Sequence, residues 1–442
     1  MKKYFNEFKK VDKGFLLVLL FAVSIPVIYS FLRLLWITDD GSQSYAMTSF
    51  ASYIQVIFEI FMVFLIVPLF TYRKSEFLTK SNSMLIGIVI ISFFMFLFSL
   101  CLVPLIYQGM INMNPDADKE DLLIYLIIMS LSYSLEIVEF YFISEIVIEK
   151  HNFKGMLVVS LGLLIKIVVD LLLISSIAVV DFTIVNVAIS SLISSLIIIF
   201  VLFILFIVKQ HRTIAIQKVK ISEIMDFYKR GFYPGLDILI ANFFYAFVTL
   251  KIVSNLSETG WNSWHLGMWI YWHIIFKITA VLKYSLLSES KNNEEIDEHN
   301  LTVLYCIFDT IIFFTLGPIL SLTLLKTVVD DPDWLKLSTA TSLYMIPFML
   351  AMSIGDKLKI KMLNTNNYKY ILWDTAIANF IIEFPVLIML MVGIEFNYLE
   401  NLLIWTATTS FYFVLIVLFY RKILNKEKEE KIYYQDFQYE EY

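Results

Sequence analysis

Pairs of charged or polar side chains stand three or four residues apart inside otherwise apolar stretches of this chain. They are Gln55 with Glu59, Glu136 with Glu139, Lys166 with Asp170, His273 with Lys277 and Asn379 with Glu383. That spacing puts both members of a pair on one helix face, and ionisable groups in apolar segments are costly enough to be paired or functional as a rule. Lys166 and Asp170 form the most specific pair, an ammonium one turn from a carboxylate. Two readings of it stand: a static salt bridge, or a carboxylate for which an arriving cation or proton competes with the lysine and so drives a conformational change. Glu136 and Glu139 are like charges on one face and, if both point inward, could carry a proton. Trp261, Trp264, Trp269 and Trp272 make up half of the eight tryptophans. An interfacial aromatic belt suits Trp261 and Trp264, whereas the deeper Trp269 and Trp272 could offer a π face to a cationic or aromatic ligand. Each pair could also be an interhelical contact that only holds a bundle together; as a set they favour a polar cavity.

The elements that must position these groups follow from composition. The chain has 442 residues, 59% hydrophobic and 17% charged, with a mean hydropathy of +0.75. A water-soluble protein cannot hide that much apolar surface. With 9 Pro, 13 Gly and 2 Cys, disordered, collagen-like and disulfide-framework classes are excluded too. Cys101 and Cys306 read as small buried hydrophobes. Long apolar runs fall at 14–36, 48–71, 82–107, 121–147, 155–176, 183–208, 233–255, 264–288, 301–325, 338–355, 369–394 and 398–420. They are apolar all round and each is long enough to span a bilayer as a helix. The expected fold is an all-α integral membrane protein with twelve transmembrane helices in two pseudo-symmetric six-helix lobes and both termini cytoplasmic.

Orientation rests on Lys and Arg in the loops. With the N-terminus inside, the cytoplasmic loops hold nearly all of them, including Lys357, Lys359 and Lys361, while the opposite face has only Lys119, Lys326 and Lys336. Arg33, Lys166, Lys251, Lys277 and Lys283 fall inside spans. The N-terminal lysines and the first apolar run read as an uncleaved helix. Residues 1–208 form the expected N-lobe, 209–232 a cytoplasmic amphipathic linker, 233–425 the C-lobe and 426–442 a charged, solvated tail. A weak internal repeat with an offset of 215 aligns HNFKGMLVV at 151 with NNYKYILWD at 366, and Ser191 with Thr406, a plan common in secondary transporters. No Walker loop, G-x-G-x-x-G, H-E-x-x-H, C-x-x-C or G-x-S-x-G motif is present, so this chain does not energise transport by nucleotide hydrolysis.

The stretches ASYIQVIFEIFMVFLIVPLF, KIVVDLLLISSIAVVDFTIVNVAISSLIS and YKRGFYPGLDILIANFFYAFVTL, with LGPILSLTLL through IIEFPVLIML, resemble the multidrug and toxic compound extrusion (MATE) family. That family shares a superfamily with polysaccharide and lipid-linked sugar flippases. By this resemblance Asp170 and Ser191 fall on two positions of the family's N-lobe cation site, Lys166 replaces its asparagine ligand, and Asn242 stands where part of the family has an acid. The first-span acid has no counterpart here. The resemblance implies a secondary active transporter exporting an organic solute, cationic or not, by alternating access across a bacterial cytoplasmic membrane. Coupling to a proton or sodium gradient would run through Asp170, Lys166, Ser191, Glu136 and Glu139, with sodium possible at Asp170 and no other cofactor. Gln55, Glu59, Asn242, Trp269, Trp272, His273, Asn379 and Glu383 would line the substrate cavity. A lipid or lipid-linked saccharide flippase, and a non-transporting membrane subunit, are the alternatives. Membrane lipids are expected as partners, nucleic acid is not, and the expected state is a monomer.

Overall fold

Every regular element among the described residues is helical. The computed structural model describes the chain except residues 1, 40, 50, 70, 71, 73, 114–118, 149–151, 176, 179, 211–218, 293, 294, 366, 441 and 442. The first half comprises α1 (Lys2–Lys10), α2 (Lys13–Asp39), α3 (Ser42–Ser49), α4 (Ala51–Leu69), α5 (Lys74–Met113), α6 (Lys119–Ile148), α7 (Asn152–Leu173) and α8 (Ile184–Gln210). The second begins with α9 (Ile221–Phe244), a π-helical stretch at Tyr245–Leu250 and α10 (Lys251–Ser254). Next come α11 (Glu258–Trp269), a second π-helical stretch at Ile270–Ile275 and α12 (Phe276–Asn292). The chain ends with α13 (Glu298–Thr323), α14 (Leu325–Val328), α15 (Pro332–Asn364), α16 (Tyr368–Met391) and α17 (Tyr398–Glu440).

Local chemistry sets several boundaries. The Asp331 side chain accepts from the backbone N–H groups of Asp333 and Trp334, both at 2.9 Å, and Pro332 opens α15, an N-cap followed by a proline that loses no helical hydrogen bond. Gly393 ends α16 with φ +86°, a left-handed backbone that glycine adopts without strain.

Ten segments of the described residues are helices long and apolar enough to cross a membrane. The two remaining expected spans, 14–36 and 155–176, coincide with α2 and α7, helices of 27 and 22 residues. The chain is a multi-pass membrane protein. Its outer surface matches, with Phe93, Phe94, Leu164 and Phe200 exposed on helix flanks, where lipid rather than water would meet them.

The helices pack as two bundles. Helices α2 and α4–α8 contact one another, as do α9–α17, and the bundles meet mainly through α4 on α9 and α2 on α12. The α4/α9 seam is close because α9 presents Gly231 and Gly235. A Cβ on Gly231 would overlap the Phe64 carbonyl oxygen, and one on Gly235 would lie 2.9 Å from the Phe64 ring and Cβ. Small residues one turn apart are a usual device for tight helix contact in membranes, where apolar burial alone does not drive association.

Two girdles of contacts between the bundles lie at opposite ends. At the end where α5 and α9 begin, Asp226 accepts from the Tyr72 hydroxyl at 3.1 Å and pairs with Lys80 at 3.3 Å. There too Arg230 pairs with Glu76 at 3.2 Å and lies 3.9 Å over the Tyr72 ring, and Ser83 donates to Glu223 at 2.7 Å. Burial raises the Tyr72 pKa, with Arg230 opposing and Asp226 adding to the shift, so the phenol stays protonated and able to donate. At the other end Trp261 Nε1 donates to Ser49 Oγ at 2.5 Å, Trp261 stacks on Tyr53, and Tyr45 packs on Trp334 at 5.4 Å. Helix α1 lies at the α13 start, where Glu7 accepts from Asp297 N at 3.0 Å, and Lys361 bridges Glu298 and Glu427. Residues 7 and 427 are therefore at the same end of the molecule.

Several expectations change. Lys357 and Lys359 do not belong to a solvated loop: they sit inside α15, 1% and 9% exposed, because buried carboxylates on other helices neutralise them. Residues 221–232 form the first turns of α9 instead of a separate surface helix; residues 211–218 of the expected linker lie outside the described residues. The 426–442 tail continues α17 as far as Glu440. Trp261 and Trp264 are fully buried, Trp261 against Ser49 and Tyr53 of the first half and Trp264 against Tyr245 and Tyr398 of the second, not in a lipid-facing belt. Cys101 is exposed and Cys306 half-buried.

Candidate functional site

Between the girdles lies a cavity of about 680 Å³ whose wall draws on both bundles. Of the residues singled out from the sequence, Gln55, Glu59, Glu136, Glu139, Lys166, Ser191, Asn242, Trp269, Trp272, His273, Asn379 and Glu383 line it, and so does Lys277. Asp170 does not; it is fully buried behind the wall. Side chains from eight helices and a π-helical turn thus converge on one space, which is what their isolated positions inside apolar spans required.

Lys166 corrects the expected pairing. Its Nζ lies 3.2 Å from Glu139 and 3.9 Å from Glu136, both on α6, and makes no ion pair with Asp170. A lysine side chain is long enough to reach the neighbouring helix, and two carboxylates there hold it more strongly than one on its own helix. Asp170 instead accepts a hydrogen bond from Ser190 on α8 and lies within electrostatic reach of Tyr29 and Arg33 on α2. Arg33 donates to the Tyr29 hydroxyl at 2.8 Å and to the Val187 carbonyl. Ser191 donates to the Val187 carbonyl at 3.1 Å, away from Asp170. One carboxylate, the hydroxyls of Ser190 and Tyr29 and a nearby guanidinium are a poor set of donors for sodium, which needs several oxygens and no resident cation. The residues present do not fit a sodium ion at Asp170. No group of three or more His, Cys, Asp or Glu among the described residues is arranged to hold a metal.

At the α4/α9 seam, Asn242 donates to the Val56 carbonyl at 2.8 Å and approaches Glu59 at 3.5 Å, while Gln55 donates to Glu59 at 3.4 Å. Glu59 is held by amides and, among the described residues, has no cation within 4 Å. Across the cavity, Trp269 stacks with His273 at 5.3 Å and Trp272 packs on Phe276 at 5.0 Å. Trp272 and His273 lie in the Ile270–Ile275 π-helical turn, a feature that often accompanies functional positions in helices. On α16, Asn379 donates to the Thr375 carbonyl at 2.8 Å, and Glu383 is buried beside Thr408 with one carboxylate oxygen unpartnered.

The second bundle holds charges that spacing alone did not reveal as a set. Lys359 lies 2.6 Å from Asp237 on α9 and 3.7 Å from Asp374 on α16, with the Tyr412 ring 5.0 Å away. Lys283 pairs with Asp356 at 2.7 Å. Lys357 pairs with Asp309 on α13, which also accepts from Ser353 at 2.8 Å. Asp237, Asp309 and Asp374 each lie within an expected span, and an acid in an apolar run is the signal that points to them. Their partners are distant in sequence, so no helical spacing links them.

No family model matches the sequence, and no curated protein matches it. Solved structures do match in fold. A MOP superfamily transporter from Pyrococcus furiosus, for which a reverse polarity of the binding pocket is said to suggest a different function, aligns with a TM-score of 0.71 at 14% identity, over 94% of this chain and 95% of that one. A multidrug resistance MATE family transporter of the MOP superfamily in an outward-facing conformation gives 0.71 at 13% identity, over 94% and 96%. A Vibrio cholerae MATE transporter gives 0.70 at 15% identity, over 96% and 99%. The chain shares the fold of these transporters along almost its whole length.

Proposed function

We propose that this chain is a secondary active transporter that exports an organic solute across a bacterial cytoplasmic membrane by alternating access between its two bundles, coupled to protons. The observation that carries this reading is the cavity that lies between the girdles and is lined by both bundles. Opening one girdle while the other stays closed would expose the same side chains to one face of the membrane at a time. Both termini would face the cytoplasm, and the monomer would be the working unit.

Coupling would run through Asp170. Its carboxylate ties α7 to α8 through Ser190 and faces the Tyr29 and Arg33 pair on α2. A proton on Asp170 would remove the charge that holds Arg33, loosening α2, which also packs on α12 of the other bundle. A local protonation would thereby bias the arrangement of the two bundles. Lys166, Glu136 and Glu139 form a nearby three-charge group through which a proton could also pass.

Reconstituted in liposomes with an imposed pH gradient, the wild type is expected to drive efflux of an organic cation. Asp170→Asn is expected to lose at least tenfold in gradient-driven rate while binding solute as before. Absence of flux in the wild type, or full coupling in Asp170→Asn, would overturn the proposal. A flippase for lipid-linked saccharides is the second reading, favoured by Arg33, Lys166, Lys277 and Lys359 in the cavity wall. Lys166 and Lys359 are neutralised by carboxylates and Arg33 faces Asp170, which leaves Lys277 as the support for it.

A further inference from the structure

We infer that Lys277 is the recognition point for an anionic group on the transported solute, so that the solute is amphoteric, with an acidic and a basic group. This rests on the transporter reading above and names the substrate class of the same cavity. Among the buried or half-buried lysines of the membrane core, Lys166, Lys283, Lys357 and Lys359 each have a carboxylate within 4 Å. Lys277 is the exception. It lines the cavity, yet among the described residues it makes no hydrogen bond and no ion pair within 4 Å. The charges that act on it are Glu136 and Lys166, which already interact with each other.

Its surroundings support the assignment. His273, one turn earlier, stacks on Trp269, and its Nδ1 is buried without a partner. Arg33, on α2, the helix that packs against α12, is answered by Asp170 and donates to a phenol and a carbonyl, so it supplies no counter-charge to Lys277. An ammonium held in an apolar cavity without a counter-charge is costly, and a ligand that supplies the counter-charge recovers that cost on binding. Elsewhere in the cavity wall the sign is reversed. Glu59 on α4 is held by two amides, Glu383 on α16 lies beside a threonine, and among the described residues neither has a cation within 4 Å. Tyr245, Trp269 and Trp272 share the wall with them. A ligand bearing a carboxylate or phosphate and an ammonium on an apolar body answers both charges. A free solute and a phosphatidylethanolamine headgroup have that chemistry in common.

The test is calorimetric binding to purified protein in nanodiscs made only of phosphatidylcholine, using three probes with one ring system: naphthylpropionate, naphthylethylamine and naphthylalanine. Naphthylalanine is expected to bind tightest of the three. Lys277→Met is expected to weaken naphthylpropionate and naphthylalanine at least tenfold and leave naphthylethylamine unchanged. Lys277→Arg should retain binding, and Glu59→Gln should weaken only the two amines. Because Lys277 has no hydrogen-bond or ion-pair partner among the described residues to orphan, its Met variant should melt no lower than wild type, which separates lost recognition from lost folding. Displacement of naphthylalanine by dihexanoylphosphatidylethanolamine in a Lys277-dependent manner would place the source of the anion in a lipid headgroup and still support the inference. Equal binding of the acidic probes to wild type and Lys277→Met, or no binding of them at all, would overturn it. Proton-driven flux of naphthylethylamine in that case would leave the transporter reading standing.

Discussion

Lys357→Met alone is expected to destabilise the protein by about 3–5 kcal/mol, the range for removing one partner of a buried ion pair. Lys357 and Asp309 are 1% and 0% exposed. Lys357 also reaches the Thr279 carbonyl at 3.4 Å, so the pair joins α12, α13 and α15. Without the lysine, the Asp309 carboxylate keeps only Ser353 as a donor. The double variant Asp309→Leu with Lys357→Met removes both charges and should recover most of the loss, because well-packed apolar replacements of a buried pair are often neutral. Thermal unfolding of the purified variants reads this directly. A double variant no more stable than the single would mean that packing, not the stranded charge, sets the cost.

Gly231→Ala is expected to reduce transport more than tenfold while leaving each bundle folded. The added methyl would meet the Phe64 backbone carbonyl, and a backbone atom cannot swing aside as a side-chain tip can. Helices α4 and α9 must then part at the girdle formed by Tyr72, Glu76, Asp226 and Arg230. Ser83, 3% exposed beneath Glu223, reports on that opening. A cysteine at position 83 should be shielded from an impermeant maleimide in the parent protein and labelled in the Gly231→Ala variant. Unchanged labelling together with unchanged transport would show that the seam tolerates the methyl.

The helical architecture was legible because hydrophobicity in a membrane chain is nearly a direct readout of what lipid covers. The cavity wall was legible for a related reason: Glu59, Lys166, Asn379 and Glu383 are expensive inside an apolar run unless they face one another or a cavity. The partners were less so. Helical spacing proposed Asp170 for Lys166, but spacing describes one helix, and the carboxylates that hold Lys166 come from α6. The same limit hid Lys357 and Lys359. A lysine neutralised by Asp309 or Asp237 on another helix has the hydropathy of a loop lysine, so the end of the tenth span was set nine residues before α15 stops at Asn364. Trp261 and Trp264 failed for the opposite reason: tryptophan suits both a lipid interface and a tight protein contact, and only the contacts with Ser49 and Tyr245 decide.

Alternating access makes a claim about distances that electron spin resonance can measure. With Cys101 and Cys306 replaced by alanine, spin labels at Thr79 and Lys229 would report the girdle nearer the termini, and labels at Lys119 and Lys326 the opposite one. On changing pH, or on adding solute, one distance should lengthen as the other shortens, and Asp170→Asn should hold the pair in one arrangement. Two distance distributions that stay single and unchanged under every condition, in a protein that still binds solute, would contradict the account.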